Sequence, residues 1–163
     1  MRHTQTQRNH LVRLAQYLDR NAKLVKYAEV RPMSTARLTE SQLRCRFAAG
    51  STITCDCSES ITMMFRMAGL SDPNGLHYDG EGYTGTMLEH LPHFTNWEEV
   101  HAGTLIVFGD PPGHHVVMVV EPNGVNPTVY SHGSYSDKAI WSLDTERGYQ
   151  SGLPITLLAI ADL

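Results

Sequence analysis

A chain of 163 residues with 41% hydrophobic and 18% charged residues has the make-up of an ordinary globular protein, large enough for one domain with a real core and hardly for two. A net charge of −4 with no basic run argues against nucleic acid as a partner, and no apolar stretch reaches the length of a membrane span. Three cysteines cannot all pair within the chain, and Cys55 and Cys57 are too close for an ordinary bridge, so no disulfide scaffold is expected.

The opening Met1–Gln7 lacks the apolar core of a secretory signal. Leu11, Leu14, Ala15, Leu18, Ala22 and Val25 recur at helical spacing, predicting a surface helix from about Asn9 to Glu29 that Arg31-Pro32 ends. Thr39-Glu40-Ser41-Gln42 opens a short helix through Phe47, and Ala49-Gly50-Ser51-Thr52 reads as a loop.

Thr54-Cys55-Asp56-Cys57-Ser58-Glu59-Ser60-Ile61 is the stretch around which the chain is organised. Ile61, Met64, Phe65 and Ala68 fall at offsets i, i+3, i+4 and i+7, an amphipathic helix stopped by Gly69. Asp56 with Glu59 three residues on is an aspartate capping box, which makes Cys57 the first helical residue with its thiol on the buried face. The helix dipole there favours thiolate, whereas Asp56 and Glu59 disfavour it, so a cationic partner must come from elsewhere in the fold. On this helix alone, a small core cysteine and a reactive one are equal readings.

Leu70–Gly75 is turn chemistry, and the glycine- and aromatic-rich run from Leu76 to Trp97, with a short helix around Thr86–Leu91, suits the wall of a binding cleft. Asp79 and Glu81 read as solvated loop rather than a calcium loop, which needs more ligands. Beyond Gly103 the period changes. Thr104–Phe108, His115–Val120, Thr128–His132, Lys138–Ser142 and Leu153–Ile160 read as strands, and helices followed by consecutive strands predict an α+β fold with an antiparallel sheet.

His114 and His115 lie at a strand start, where the pleat sends them to opposite faces, and His132 lies on the next strand. A cysteine at a helix start with strand histidines nearby is the layout of a cysteine–histidine nucleophilic site, although any one strand histidine taken singly reads better as a half-buried polar residue.

The order Asp56-Cys57-Ser58, then Gly103–Phe108, then His115–Val120, then Val129-Tyr130-Ser131-His132-Gly133, resembles the NlpC/P60 and CHAP group of papain-like cysteine peptidases. Asp72–Leu76, Gly82–Thr86 and Gly113–Glu121 look most like the peptidase domains of endolysins from phages of actinobacteria. The resemblance covers about residues 45–160, dividing a single catalytic domain into a helical extension (1–44) and a core (45–163). It implies a papain-like fold with Cys57 as nucleophile, His115 as general base and His132 as orienting group, and a cleft that includes Asp56, Ser58, Tyr83 and His114.

Glu59 stands where the family has glycine, Thr104 replaces an aspartate, and Phe47-Ala48-Ala49-Gly50 replaces a tyrosine–glycine run that supplies an oxyanion donor in some members. The Cys57 N–H is then the natural oxyanion donor. The implied activity is peptidoglycan hydrolysis at an amide bond of the stem peptide, with no metal or cofactor. The protein would be made in the host cytoplasm and act on the cell wall after release, or ride on a phage particle as a tail-associated lysin, with other lysin domains or tail subunits as partners. A zinc site from Cys55, Cys57, His114 and His115, and a structural module without chemistry, are the alternatives.

Overall fold

The computed structural model describes residues 5–134 and 137–160, so Met1–Thr4 at the opening lie outside it. Helix α1 (Gln5–Arg20) buries Leu11, Leu14, Ala15 and Leu18 on one stripe, each leucine worth about 1.5–3 kcal/mol on burial. It does not run on to Glu29. Asn21 breaks it, a single 3-10 turn follows, and Val25–Tyr27 becomes strand β1. The helical spacing of Ala22 and Val25 was real but non-decisive, because β1 finds a parallel partner 28 residues on, with Val25 opposite Ile53.

Helix α2 (Glu40–Ala48) starts at Thr39, where Thr39 and Gln42 form a reciprocal capping box. Strand β2 (Ile53–Cys55) pairs with β1 and leads directly into α3 (Cys57–Met67), which Gly69 closes with φ +70. Helix α4 (Thr84–His90) matches the short helix expected there. Strands β3 (His93–Phe94), β4 (Leu105–Phe108), β5 (His115–Glu121), β6 (Thr128–Tyr130), β7 (Ile140–Ser142), the helix α5 (Leu143–Tyr149) and β8 (Ile155–Leu158) complete the chain. The sheet has the order β3-β8-β4-β5-β6-β7 and is antiparallel throughout, as expected; α5 has one buried apolar residue, Leu143, and no sequence signal announced it.

Alternation sorts the sheet into two faces. Leu105, Val107, Val116, Met118 and Tyr130 join α1 and α3 in the main core, while Ile106, Phe108, Val117, Val119 and Val129 form a second cluster with Leu143 on the other face. Residues before 45 are part of this core, not an appendage. Leu11, Leu14, Ala15 and Leu18 lie in it, and Asp19 Oδ1 accepts from the N–H groups of Ala139 (2.8 Å) and Ile140 (3.0 Å) at β7.

Candidate active site

Asp56 is extended (φ −94, ψ −172) and its Oδ1 accepts from the Glu59 N–H at 2.8 Å and from the Ser58 hydroxyl at 3.0 Å, so Cys57 opens α3 as the sequence indicated. The capping box closes on one side only. Glu59 turns away from the helix start, and its Oε1 accepts from the Thr35 N–H (3.0 Å) and hydroxyl (2.7 Å). Burial holds its carboxyl above the usual glutamate range.

Cys57 is 5% exposed, and its thiol receives hydrogen bonds from the backbone N–H groups of Val116 and Ser58 and from the Thr84 hydroxyl. These bonds favour thiolate. Burial, followed by the Asp56 carboxylate, outweighs them and pushes the thiol up to about 11, so the thiolate expected from the helix dipole is corrected to a resting thiol. The cation that the acidic helix start required is Arg31, read in sequence only as a helix terminator. Its Nη2 stands 2.8 Å from Asp56 Oδ2 and donates to Ser58 Oγ at 3.1 Å, and its Nε donates to the Gly82 carbonyl at 2.8 Å. One guanidinium thus joins the β1 exit, the nucleophile helix and the loop before α4.

Val116, whose N–H reaches the Cys57 thiol, follows His115 directly. His115 is buried; its Nε2 lies 2.9 Å from Ser131 Oγ and 3.3 Å from Glu146 Oε1. Glu146, on α5, is fully buried and also accepts from Trp141 Nε1 (2.7 Å) and Gln150 Nε2 (2.8 Å). Burial lowers the His115 pKa to about 4; Glu146 and Asp56 raise it, and His114 and His132 add to the lowering. Thiol and imidazole are therefore both uncharged at neutral pH. His132, expected to orient that ring, instead donates from Nε2 to the Cys55 carbonyl at 2.9 Å, and its ring packs at a 53° tilt against Tyr27, centroids 5.4 Å apart. Carbonyl oxygen only accepts, so this bond braces β2, the strand that delivers the nucleophile.

Asp56, Cys57, Ser58, Tyr83 and His114 line one cavity of about 450 Å³ with Arg31 and Thr84. A second lobe of about 440 Å³ adjoins it across Glu29, Gly113 and His114, and is lined by His115, Tyr27 and Gln150. Gly113 (φ +83) sits between them; a Cβ there would meet Thr84 Cγ2 at 2.5 Å and Val107 Cγ1 at 2.9 Å, so only glycine lets the strand and α4 approach this closely. The cleft wall is held by Asp72, whose carboxylate accepts from the N–H groups of Asn74, Leu76 and Tyr78, while Asn74 bridges Thr62 and Thr86. A larger groove of about 490 Å³ lies by the second cluster, around Phe94, Trp97 and Phe108, but has neither cysteine nor histidine in its lining.

Asp79 and Glu81 are exposed, and Asp79 accepts from the Glu81 N–H at 2.8 Å as an ordinary turn. Among the described residues no group of three or more His, Cys, Asp or Glu side chains converges on a common point, so Cys55, Cys57, His114 and His115 do not form the zinc set considered as an alternative. Cys55 lies wholly in the core. No helix among the described residues is long and apolar enough to cross a membrane.

Helices packed on an antiparallel sheet are the architecture this chain shares with a solved NlpC/P60 structure. The chain superposes on a crystal structure from Staphylococcus aureus subsp. aureus Mu50, described as similar to lipoprotein, NLP/P60 family, with a TM-score of 0.59 and 16% identity over 98% of this chain and 43% of that one. The chain spans less than half the length of that protein. No protein-family model and no curated protein matches the sequence.

Proposed function

We propose that this chain is a cysteine peptidase or amidase that cleaves an amide bond in the peptidoglycan stem peptide. The observation that carries the reading is the seating of the Cys57 thiol at a helix start, against the backbone beside His115, at the floor of a two-lobed cleft in an NlpC/P60 fold. With both groups uncharged at rest, His115 acts as a general base: the Cys57 S–H proton moves to the imidazole as sulfur attacks the substrate carbonyl. The Cys57 N–H at the start of α3 and the Tyr27 phenol, which burial keeps protonated, serve as the donors to the developing oxyanion. The imidazolium returns its proton to the leaving amine as the C–N bond breaks. Water, deprotonated by the same ring, then hydrolyses the thioester.

His115 is preferred to His114 because it is buried, partnered through Nε2 and adjacent to the thiol-binding N–H, whereas His114 is exposed on the rim. In biological setting this reading corresponds to a lysin of the phage type, working on the cell wall after release from the host cytoplasm or from a tail particle. The test is clearing of purified actinobacterial cell walls by wild type and Cys57→Ser, with mass spectrometry of released fragments and a parallel sample in chelator. Loss of clearing in the variant, with wild type indifferent to chelator, supports the reading, and fragment masses name the bond. Equal clearing by both proteins removes Cys57 as nucleophile.

A further inference from the structure

We infer that Glu146, delivered by α5 rather than by the strand that follows β5, is the positioning residue that fixes the tautomer of His115. This rests on the reading of His115 as the base. A base that takes a proton from Cys57 must offer one bare nitrogen, so its other nitrogen has to hold the proton already. Among the described residues, the Ser131 hydroxyl and the Glu146 carboxylate stand at Nε2. The Ser131 hydroxyl at 2.9 Å donates as well as accepts and imposes neither tautomer. The Glu146 carboxylate oxygen at 3.3 Å only accepts, so it selects Nε2–H and leaves Nδ1 bare.

The carboxylate is itself held from both sides. Trp141 Nε1, a donor with no acceptor capacity, binds Oε2, and Gln150 Nε2 binds Oε1. Glu146 is fully buried, and its negative charge becomes most favourable when His115 turns cationic during attack. When sulfur forms its bond to carbon, the S–H proton passes to Nδ1, the Nε2–H stays in place, and the new imidazolium faces a carboxylate already aligned. Among the described residues, the other charged or titratable groups that act on the ring are His114 beside it, His132 beyond β6 and Asp56 at the start of α3. His132 does not compete for the role, since its Nε2 is committed to the Cys55 carbonyl.

The indole makes the test specific. In Glu146→Gln one oxygen becomes NH2. Trp141 can only donate and so claims the remaining oxygen; Gln150 can turn its amide to accept, and the new NH2 faces His115. The ring must then accept at Nε2 and carry its proton on Nδ1, the wrong tautomer for taking a proton from sulfur, as when an orienting aspartate is replaced by asparagine in a serine protease.

Nitrogen NMR of the histidine-labelled full chain, with His115 assigned by the loss of its signals in His115→Gln, reads the tautomer without any substrate. Wild type is expected to carry the proton on Nε2 and Glu146→Gln on Nδ1, with wall hydrolysis falling by about 100-fold or more in the variant. Adding Trp141→Phe to Glu146→Gln frees the amide oxygen for His115 and is expected to restore the wild-type tautomer. A wild-type ring protonated on Nδ1, or a folded Glu146→Gln with unchanged tautomer, overturns the assignment. If Glu146→Gln does not fold, the wild-type tautomer alone decides. If the tautomers behave as expected while wild type clears no wall, the substrate reading fails and the positioning role stands.

Discussion

Arg31→Met tests whether one guanidinium holds the nucleophile helix in place. The substitution keeps most of the aliphatic stem and removes the charge. Asp56, with a side chain only 7% exposed, then stands as an unpaired carboxylate, and the Gly82 carbonyl loses its donor. Breaking a fully buried ion pair by removing one partner costs about 3–5 kcal/mol. The Arg31 side chain is 23% exposed, so solvent recovers part of that, and the lost Gly82 bond adds about 1 kcal/mol, giving roughly 2–3 kcal/mol in all. With a urea slope of about 2 kcal/mol/M, the unfolding midpoint drops by about 1 M. A second readout follows from the same contact. Asp56 raises the Cys57 thiol, and without Arg31 its field reaches the sulfur undiminished, so alkylation of Cys57 by iodoacetamide at neutral pH slows. Asp56→Asn in the same background removes the unpaired charge and recovers part of both effects. An Arg31→Met unfolding free energy within about 0.5 kcal/mol of wild type, with unchanged alkylation, refutes this account of the contact.

Thr84→Val removes the hydroxyl that favours the Cys57 thiolate; at about 0.5–1.5 kcal/mol for the bond, alkylation at neutral pH slows about 2- to 12-fold, and an unchanged rate sinks the contact. His115→Ala abolishes wall hydrolysis whereas His114→Ala retains it, measured on the same wall preparation; the reverse order moves the base to the rim. Glu59 has its folded pKa raised by burial above the ordinary 4.5, so the folded state favours its neutral form, and that stabilisation is lost as pH rises through the folded value. Glu59→Gln is therefore more stable than wild type at neutral pH and loses this advantage below about pH 4.5, as thermal melts at the two pH values will read. His115 and His132 are shifted the other way by burial, so the stability they contribute is complete above the ordinary 6.5 and is lost as pH falls through the His115 value of about 4. His132→Gln should flatten the fall of melting temperature as pH drops below the ordinary histidine value, and an identical slope in wild type and variant argues against the shift.

What sequence made legible is what local chemistry decides. The start of α3 follows from Asp56 alone, its buried face from Ile61, Met64, Phe65 and Ala68, and the strands from apolar runs bounded by turns. Cys57, Tyr83 and His114, which the resemblance assigns to the site, line one cavity of the fold. What stayed hidden depends on contacts between distant residues. Val25 has helical spacing, yet its strand exists only because Ile53 lies beside it. Arg31 looks like punctuation before proline until Asp56 is seen 2.8 Å away. Glu146 sits in a polar stretch whose sequence reads as solvent-facing helix, and nothing short of the fold shows that its carboxylate is the one buried beneath His115. Its partners Trp141 and Gln150 bracket it in sequence, the only local trace of the role.

The parallel pairing of β1 with β2 also bears on how this unit can be moved between proteins. A graft cut at residue 45, where the resemblance to known peptidases begins, would carry Cys57, His115, His132 and Glu146. It would leave behind the partner strand of β2, the guanidinium on Asp56, the Thr35 groups that Glu59 binds and the leucine stripe of α1. The portable unit is set by hydrogen-bonding partners and not by motifs, so its minimal boundary lies ahead of α1. Chimeras joined there keep every group that shapes the nucleophile, whereas those joined at residue 45 inherit the reactive residues without the scaffold that aims them.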